Sequence, residues 1–242
     1  MDAITPRIPR PIASTPAIDR IIGDLAASQH DLVARWQLRI RGISADAIDR
    51  RLRNGRLRRI RPGVYTLSRA PLTLRGRWMA DVLACGEGAL LTEASASMLW
   101  GLRSPSRRRT VVLTTKRGRR SPPGIDLRTT RSLSPDDVTT RDGIPVTSLA
   151  RTLADCSRTF DDEQLEAALE HAVVENGLRL DSLAGAPARL RRLVDDFQLG
   201  QALTRSDLED RFRRVLKDSG LAMPDANRAI WTGERHYYPD FL

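Results

Sequence analysis

Arg50, Arg53 and Asn54 sit within about one helical turn of each other and are of types that read base edges. A guanidinium pairs bidentately with guanine in the major groove, and a carboxamide pairs with adenine. Arg56, Arg58, Arg59 and Arg61 follow directly, and cations so close to such a helix suit phosphate contacts. A second chemistry is hinted at far downstream, where Glu209 is followed some thirty residues later by Asp240. A helix glutamate and a strand aspartate at that spacing resemble the opening of a metal-dependent nuclease site. Such a site needs several oxygen ligands to hold Mg²⁺ and activate water. Only two carboxylates are offered, so Glu209 and Asp240 read as vestigial, with no intact catalytic group, no metal and no other cofactor expected.

Other constellations are absent from the sequence. His30, His171 and His236 lie in unrelated contexts without an HExxH spacing. No P-loop, GxGxxG or nucleophile elbow is present. Cys85 and Cys156 are far apart, which excludes a disulfide scaffold and a zinc ribbon, and each reads as a small buried hydrophobe.

The charge is uneven. The net is +10 from 40 basic and 30 acidic residues, and Lys116 and Lys217 are the only lysines. Ten arginines from Arg35 to Arg61 face only Asp46 and Asp49, and eight basic residues from Arg103 to Arg120 face no acid. The remaining chain is net acidic. Such a field favours a phosphate-backbone partner.

These residues must be positioned by helices and strands. Ile18, Ile21, Ile22 and Leu25 predict an amphipathic helix over 17–29, and Leu32, Val33, Trp36 and Ile40 predict a second over 31–41. Gly42 suits a C′ position and Ser44 the N-cap of a third helix over 45–54. With Ile48 at 0°, Leu52 and Ala45 form its apolar stripe at 40° and 60° by the ~100° helical step, while Arg50 and Asn54 point away and Arg51 and Arg53 flank that outer face. Pro62-Gly63 between strand-forming flanks predicts a hairpin. Helix-turn-helix plus hairpin is a winged helix, with Ser44, Arg50, Arg51, Arg53, Asn54, Arg56, Arg58, Arg59 and Arg61 as its DNA-binding residues. On this reading residues 17–70 alone bind duplex DNA.

Downstream, residues 73–200 predict a central mixed α/β unit. Helices are expected over Arg75–Ala84 and Thr92–Trp100, and strands over Thr110–Thr115 and Ile125–Thr130. Asp142-Gly143 turns into a short extended piece, Thr147 caps a helix through Cys156, and Asp161 opens another through Glu175. In 201–242, Ser206–Glu209 is a capping box leading a helix. Strands Asn227–Trp231 and His236–Leu242 follow. The expected domains are a disordered lead over 1–16, a winged helix over 17–72, the central unit over 73–200 and the C-terminal segment over 201–242. No apolar run approaches the ~20 residues that span a bilayer, and the proline-rich start lacks a signal-peptide core, so a cytoplasmic protein without membrane contact is expected.

Several motifs together resemble the AbiEi-family antitoxins of type IV toxin–antitoxin systems. They are the run Arg41–Tyr65, the stretch Thr92–Leu102 and the stretch Asp142–Asp155. In similar proteins a very-short-patch-repair-like endonuclease domain follows, opening with a Ser-x-x-Glu helix and an Asp-Phe strand, as Ser206–Glu209 and Asp240-Phe241 do here. The resemblance implies an α+β chain with a winged helix-turn-helix, a central unit and a truncated helix-plus-strands remnant of a restriction-endonuclease-like fold. It also implies repression of its own promoter, and neutralisation of a nucleotidyltransferase-type toxin without a stable complex. Glu93 departs from the pattern, since similar sequences often carry His there. Three functions therefore compete: a DNA-binding antitoxin-type regulator, a nuclease-derived protein with an incomplete Glu209/Asp240 site, and an arginine-rich module binding RNA or an acidic protein.

Overall fold

The computed structural model describes residues 15–104, 109–118, 120–131 and 133–198, with 215, 219, 230–231 and 236–237 beyond them. The chain divides into two compact units, Met1–Arg191 and Arg192–Leu242. The first unit opens with helix α1 (Thr15–Ala27), strand β1 (Leu32–Ala34), α2 (Arg35–Ile40) and α3 (Ala45–Arg53), followed by strands β2 (Arg58–Arg61) and β3 (Val64–Thr66). The strands form an antiparallel sheet in the order β1-β3-β2.

The second helix is shorter than its apolar spacing predicts, because Leu32 and Val33 belong to β1. Positive φ at His30 and Asp31 ends the path of α1. The chain then pairs Leu32 with Thr66, Val33 with Tyr65 and Ala34 with Val64. All three β1 residues are buried, so the period-2 alternation that marks a half-exposed strand is absent.

That burial arises because the small sheet is covered on both faces. Val33 and Tyr65 pack with Ile18, Ile22, Leu38, Ile43, Ile48 and Leu57 in the core of the three helices. Leu32, Ala34 and Val64 point the other way, into a larger core with Trp78, Met79, Val82 and Leu83. These last four lie on α4 (Leu74–Cys85), which is buried almost continuously from Trp78 to Cys85. A helix with no solvent face is one packed between layers.

The other layer is a five-stranded mixed sheet of β4 (Leu90–Leu91), β5 (Thr110–Thr114), β6 (Ile125–Thr129), β7 (Val138–Arg141) and β8 (Ile144–Thr147), in the order β6-β5-β4-β8-β7. Helices α5 (Glu93–Trp100), α6 (Leu149–Cys156) and α7 (Asp162–Val174) complete the element order. The cap of α6 is Ser148 rather than Thr147, its side chain accepting from the Arg151 amide. Thr147 is the last residue of β8, and its hydroxyl meets that of Thr152 at 2.7 Å.

The turn between β7 and β8 docks against the end of α1. His30 Nε2 lies 2.8 Å from the Asp142 carbonyl oxygen, and Arg75 pairs with the Asp142 carboxylate at 2.5 Å. Gly143, at φ +75°, comes so close that a Cβ there would lie 2.7 Å from the Ser28 carbonyl oxygen.

Of the second unit, the described residues give one antiparallel pair, β9 (Ile230–Trp231) with β10 (His236–Tyr237). The expected Ser206–Glu209 helix start lies outside the described residues.

Candidate nucleic-acid interface

The turn between α2 and α3 forms around Gly42, at φ +78°. Ser44 then caps α3, its hydroxyl accepting from the Ala47 amide at 3.1 Å. Ala47 and Ile48 are buried beneath the helix, which leaves Arg50 and Arg53 exposed on the outside.

Arg51 departs from the sequence expectation. It is 2% exposed, with Nε 2.7 Å from Asp19 Oδ1 and the other nitrogens donating to the carbonyls of Ala47 and Thr15. Three residues past Ile48 on a helix, position 51 falls about 60° from Ile48, on the side of the buried Ala47. The guanidinium therefore anchors α3 to α1 and is withheld from any ligand.

Asn54 is the C-cap of α3, and with its side-chain amide turned to donate, the nitrogen lies 3.1 and 2.9 Å from the carbonyls of Arg50 and Arg51. A helix end leaves its last carbonyls unsatisfied, and Asn54 fills that role with the donors adenine would need. Arg61 is likewise engaged elsewhere. It pairs with the buried Asp81 carboxylate of α4 and donates to the Pro123 carbonyl at 2.9 Å. Burial pushes the Asp81 carboxyl above the ordinary carboxylate range, against the pull of Arg61.

Sequence reasoning missed Arg35. It reaches Asp49 of α3 through two bonds, at 2.7 and 3.1 Å, and donates to the Tyr65 hydroxyl at 3.3 Å. Arg35, on α2, thus ties α3 to β3 in a bidentate pair whose planar geometry fixes orientation. The hydrogen bonds from Arg35 hold the Asp49 carboxyl below its usual range, and the charges of Arg53 and Arg59 act in the same direction. Arg53 of α3 and Arg59 of β2 are therefore brought to one carboxylate. The i, i+14 spacing of Arg35 and Asp49 carries no local signal, and only the turn between α2 and α3 makes it a contact.

On the hairpin, Arg58 donates to the carbonyls of Ser68 and Ala70, while Arg56 pairs with Asp19 at 2.7 Å. Arg50, Arg53 and Arg59 are exposed and carry no side-chain hydrogen bond or ion pair among the described residues. A groove of about 400 Å³ runs between the end of α3 and the hairpin, lined by Leu52, Gly55, Arg58, Arg59, Leu67 and Arg69.

A second polar cluster lies in the central layer. Asp155, buried, accepts from Thr92 at 2.9 Å, from Arg151 at 3.1 Å and from Arg158 at 2.8 Å. Glu93 is buried beside it with φ +46° and pairs with Arg128 at 3.2 Å. Burial pushes the Cys156 thiol up to about 12, with the Glu93 and Asp155 charges adding to the shift. Both cysteines are buried and neither forms a disulfide, as their apolar contexts predict. No group of three metal-ligating side chains occurs among the described residues. Glu209 and Asp240 lie outside them.

No helix of the described residues is long and apolar enough to cross a membrane. Residues 20–68 match the model of a family described as "Transcriptional regulator, AbiEi antitoxin". That stretch runs from within α1 to just past β3 and supports a regulator-type DNA-binding domain there. No curated protein matches the sequence. Among solved structures, the chain is similar to the RV2827C protein from Mycobacterium tuberculosis, at 18% identity over 95% of this chain and 93% of that one, with a TM-score of 0.32.

Proposed function

We propose that the chain is a transcriptional regulator that binds duplex DNA at its own promoter through the α3 face and the β2–β3 hairpin. The carrying observation is the set Arg50, Arg53 and Arg59, exposed and unpaired among the described residues on two adjoining elements. Arg50 and Arg53 project from the second helix of a helix-turn-helix, the element that enters the major groove in such motifs. Arg59, with Arg56 and Arg58, serves the phosphates. Ser44, Arg51, Asn54 and Arg61 hold the elements that present these side chains. Beside this repression of its own promoter, the protein acts as an antitoxin that neutralises a nucleotidyltransferase-type toxin without a stable complex.

The test is binding of the full chain to the DNA upstream of its own gene, against random duplex. Arg50→Ala is expected to weaken the upstream site by about 1–3 kcal/mol and random DNA by less. Equal losses on both would show that Arg50 touches only phosphate, and absence of any duplex binding would overturn the function.

A further inference from the structure

We propose that the β5–β6 loop is a second phosphate-contacting element, in which Arg117 and Arg120 carry duplex DNA past the hairpin beyond the groove-reading helix. The inference rests on the DNA-binding reading above and extends its footprint onto the five-stranded sheet.

Two contacts place this loop beside the hairpin. Arg61, at the end of β2, donates to the Pro123 carbonyl at 2.9 Å. A cleft of about 580 Å³ is lined by Arg35 and Arg39 of α2, by Pro62 and Gly63 of the hairpin turn, and by Lys116 at the start of the loop. Strand β2 thus runs from the groove beside α3, where Arg58 and Arg59 sit, to the cleft shared with the loop. Lys116, from the basic run Arg103–Arg120 that is distant in sequence, is thereby brought beside residues of the first one.

Partner assignments then separate Arg117 and Arg120 from the other described basic residues of that run. Arg109 pairs with Asp126 at 3.3 Å, Lys116 pairs with Glu87 at 3.0 Å, and Arg103 lies over the Phe160 ring. Arg117 and Arg120 are exposed, with no ion pair or side-chain hydrogen bond among the described residues. Uncompensated like charges repel one another and weaken a fold, so a site that keeps them suits an external polyanion. Both ends of the loop are tied to the sheet. The Lys116 amide donates to Thr114 Oγ1 at 3.2 Å, the Ser121 hydroxyl donates to the Ile125 carbonyl, and β5 and β6 pair in parallel along their full lengths. Pinned ends lower the cost of ordering Arg117 and Arg120 when DNA binds.

The observations favour duplex DNA over an acidic protein. The two arginines present separated point charges beside α2 and the hairpin, as a regular phosphate track requires. The only apolar side chains among the described loop residues are Pro122 and Pro123, and neither is a large anchor of the kind a protein partner buries.

The experiment measures binding of the full chain by fluorescence anisotropy to duplexes of about one and about three helical turns, centred on the upstream site. The double variant R117Q/R120Q should lose affinity on the long duplex, alike for random and upstream sequence, and little on the short one. Two lost phosphate contacts flatten the salt slope by about 1.8, so the fall in affinity from ~50 to ~200 mM salt becomes roughly tenfold shallower. R117K/R120K should restore the slope. An unchanged slope with R117Q/R120Q on the long duplex overturns the loop site while leaving the α3 reading intact. An equal loss on both duplexes also overturns it, because the arginines would then lie within the core site. Failure of the full chain to bind any duplex removes the DNA reading itself, and this inference with it.

Discussion

Cutting the chain after residue 70 removes α4 from the sheet that carries the hairpin, and the fragment 15–70 is expected to fold poorly. Leu32, Ala34 and Val64 are fully buried on the α4 side of that sheet. Exposing a fully buried Leu or Val costs about 1.5–3 kcal/mol each, so these two alone account for roughly 3–6 kcal/mol. Two polar ties go as well, from Trp36 Nε1 to the Leu83 carbonyl at 3.2 Å and from Arg61 to Asp81. A module of that length has on the order of 3–8 kcal/mol in all, at about 0.05–0.15 kcal/mol per residue. The losses are comparable with the whole stability. Circular dichroism on heating, together with amide-proton dispersion in NMR spectra, measures the outcome. A fragment 15–70 that melts cooperatively near the temperature of the full chain, and binds upstream DNA equally well, would refute the argument.

Three further outcomes follow from single contacts. Arg51→Met should lower stability by about 1–3 kcal/mol, the cost of buried acceptors left unpaired. It should leave the salt dependence of DNA binding unchanged, and a flattened slope would show that Arg51 reaches phosphate. Gly143→Ala should lower the melting temperature, since a Cβ would meet the Ser28 carbonyl oxygen at 2.7 Å and a non-glycine residue at such a φ costs about 1–3 kcal/mol; an unchanged melt would contradict the close approach. The Cys156 thiol, raised from 9.0 to about 12 in the folded chain, should resist Ellman's reagent at neutral pH. Because the unfolded chain loses that proton first, stability should fall as pH rises from about 9 towards 12, by up to about 1.4 kcal/mol per pH unit. Cys156→Ala should flatten that fall, and an equally steep fall in the variant would show that other groups cause it.

What was legible in the sequence was local. Ser44 capping α3, the Pro62-Gly63 turn and the Asp142-Gly143 turn each depend on the chemistry of two to four adjacent residues. Helices α4 to α7 fall within a few residues of their expected bounds for the same reason. Strand β1 was not legible, because three buried residues in a row have no period and their partners lie 30 to 34 positions away. The second cover over the sheet was hidden too. Leu32, Val33 and Ala34 are equally apolar-compatible, and nothing adjacent says which of them meets α1 and which meets α4. For the site, the outward direction of Arg50 and Arg53 could be read from the helical step. The burial of Arg51 turned on a 60° angle that only the position of Asp19 decides.

The arginine count between Arg35 and Arg61 overstates the charge offered to a partner, and the structure divides it. Arg35, Arg51 and Arg61 are held by Asp49, Asp19 and Asp81, each bridging two elements. Arg39 and Arg41 donate to carbonyls of their own turn, at 3.3 and 3.4 Å. Arg56 differs from the buried Arg51, because its ion pair joins an exposed guanidinium to the half-exposed Asp19 and is of the kind that contributes about 0–1 kcal/mol. On the proposed reading a phosphate displaces Asp19 from Arg56 at little cost, while the other carboxylate oxygen keeps Arg51. The same acidic residue would then hold α3 in place and lend a cation to the hairpin. Asp49 does likewise from the other side, anchoring Arg35 while lying close enough to Arg53 and Arg59 to feel their charge. On that reading Asp19 and Asp49 offset part of the repulsion among the arginines of α3 and the hairpin until phosphates take their place.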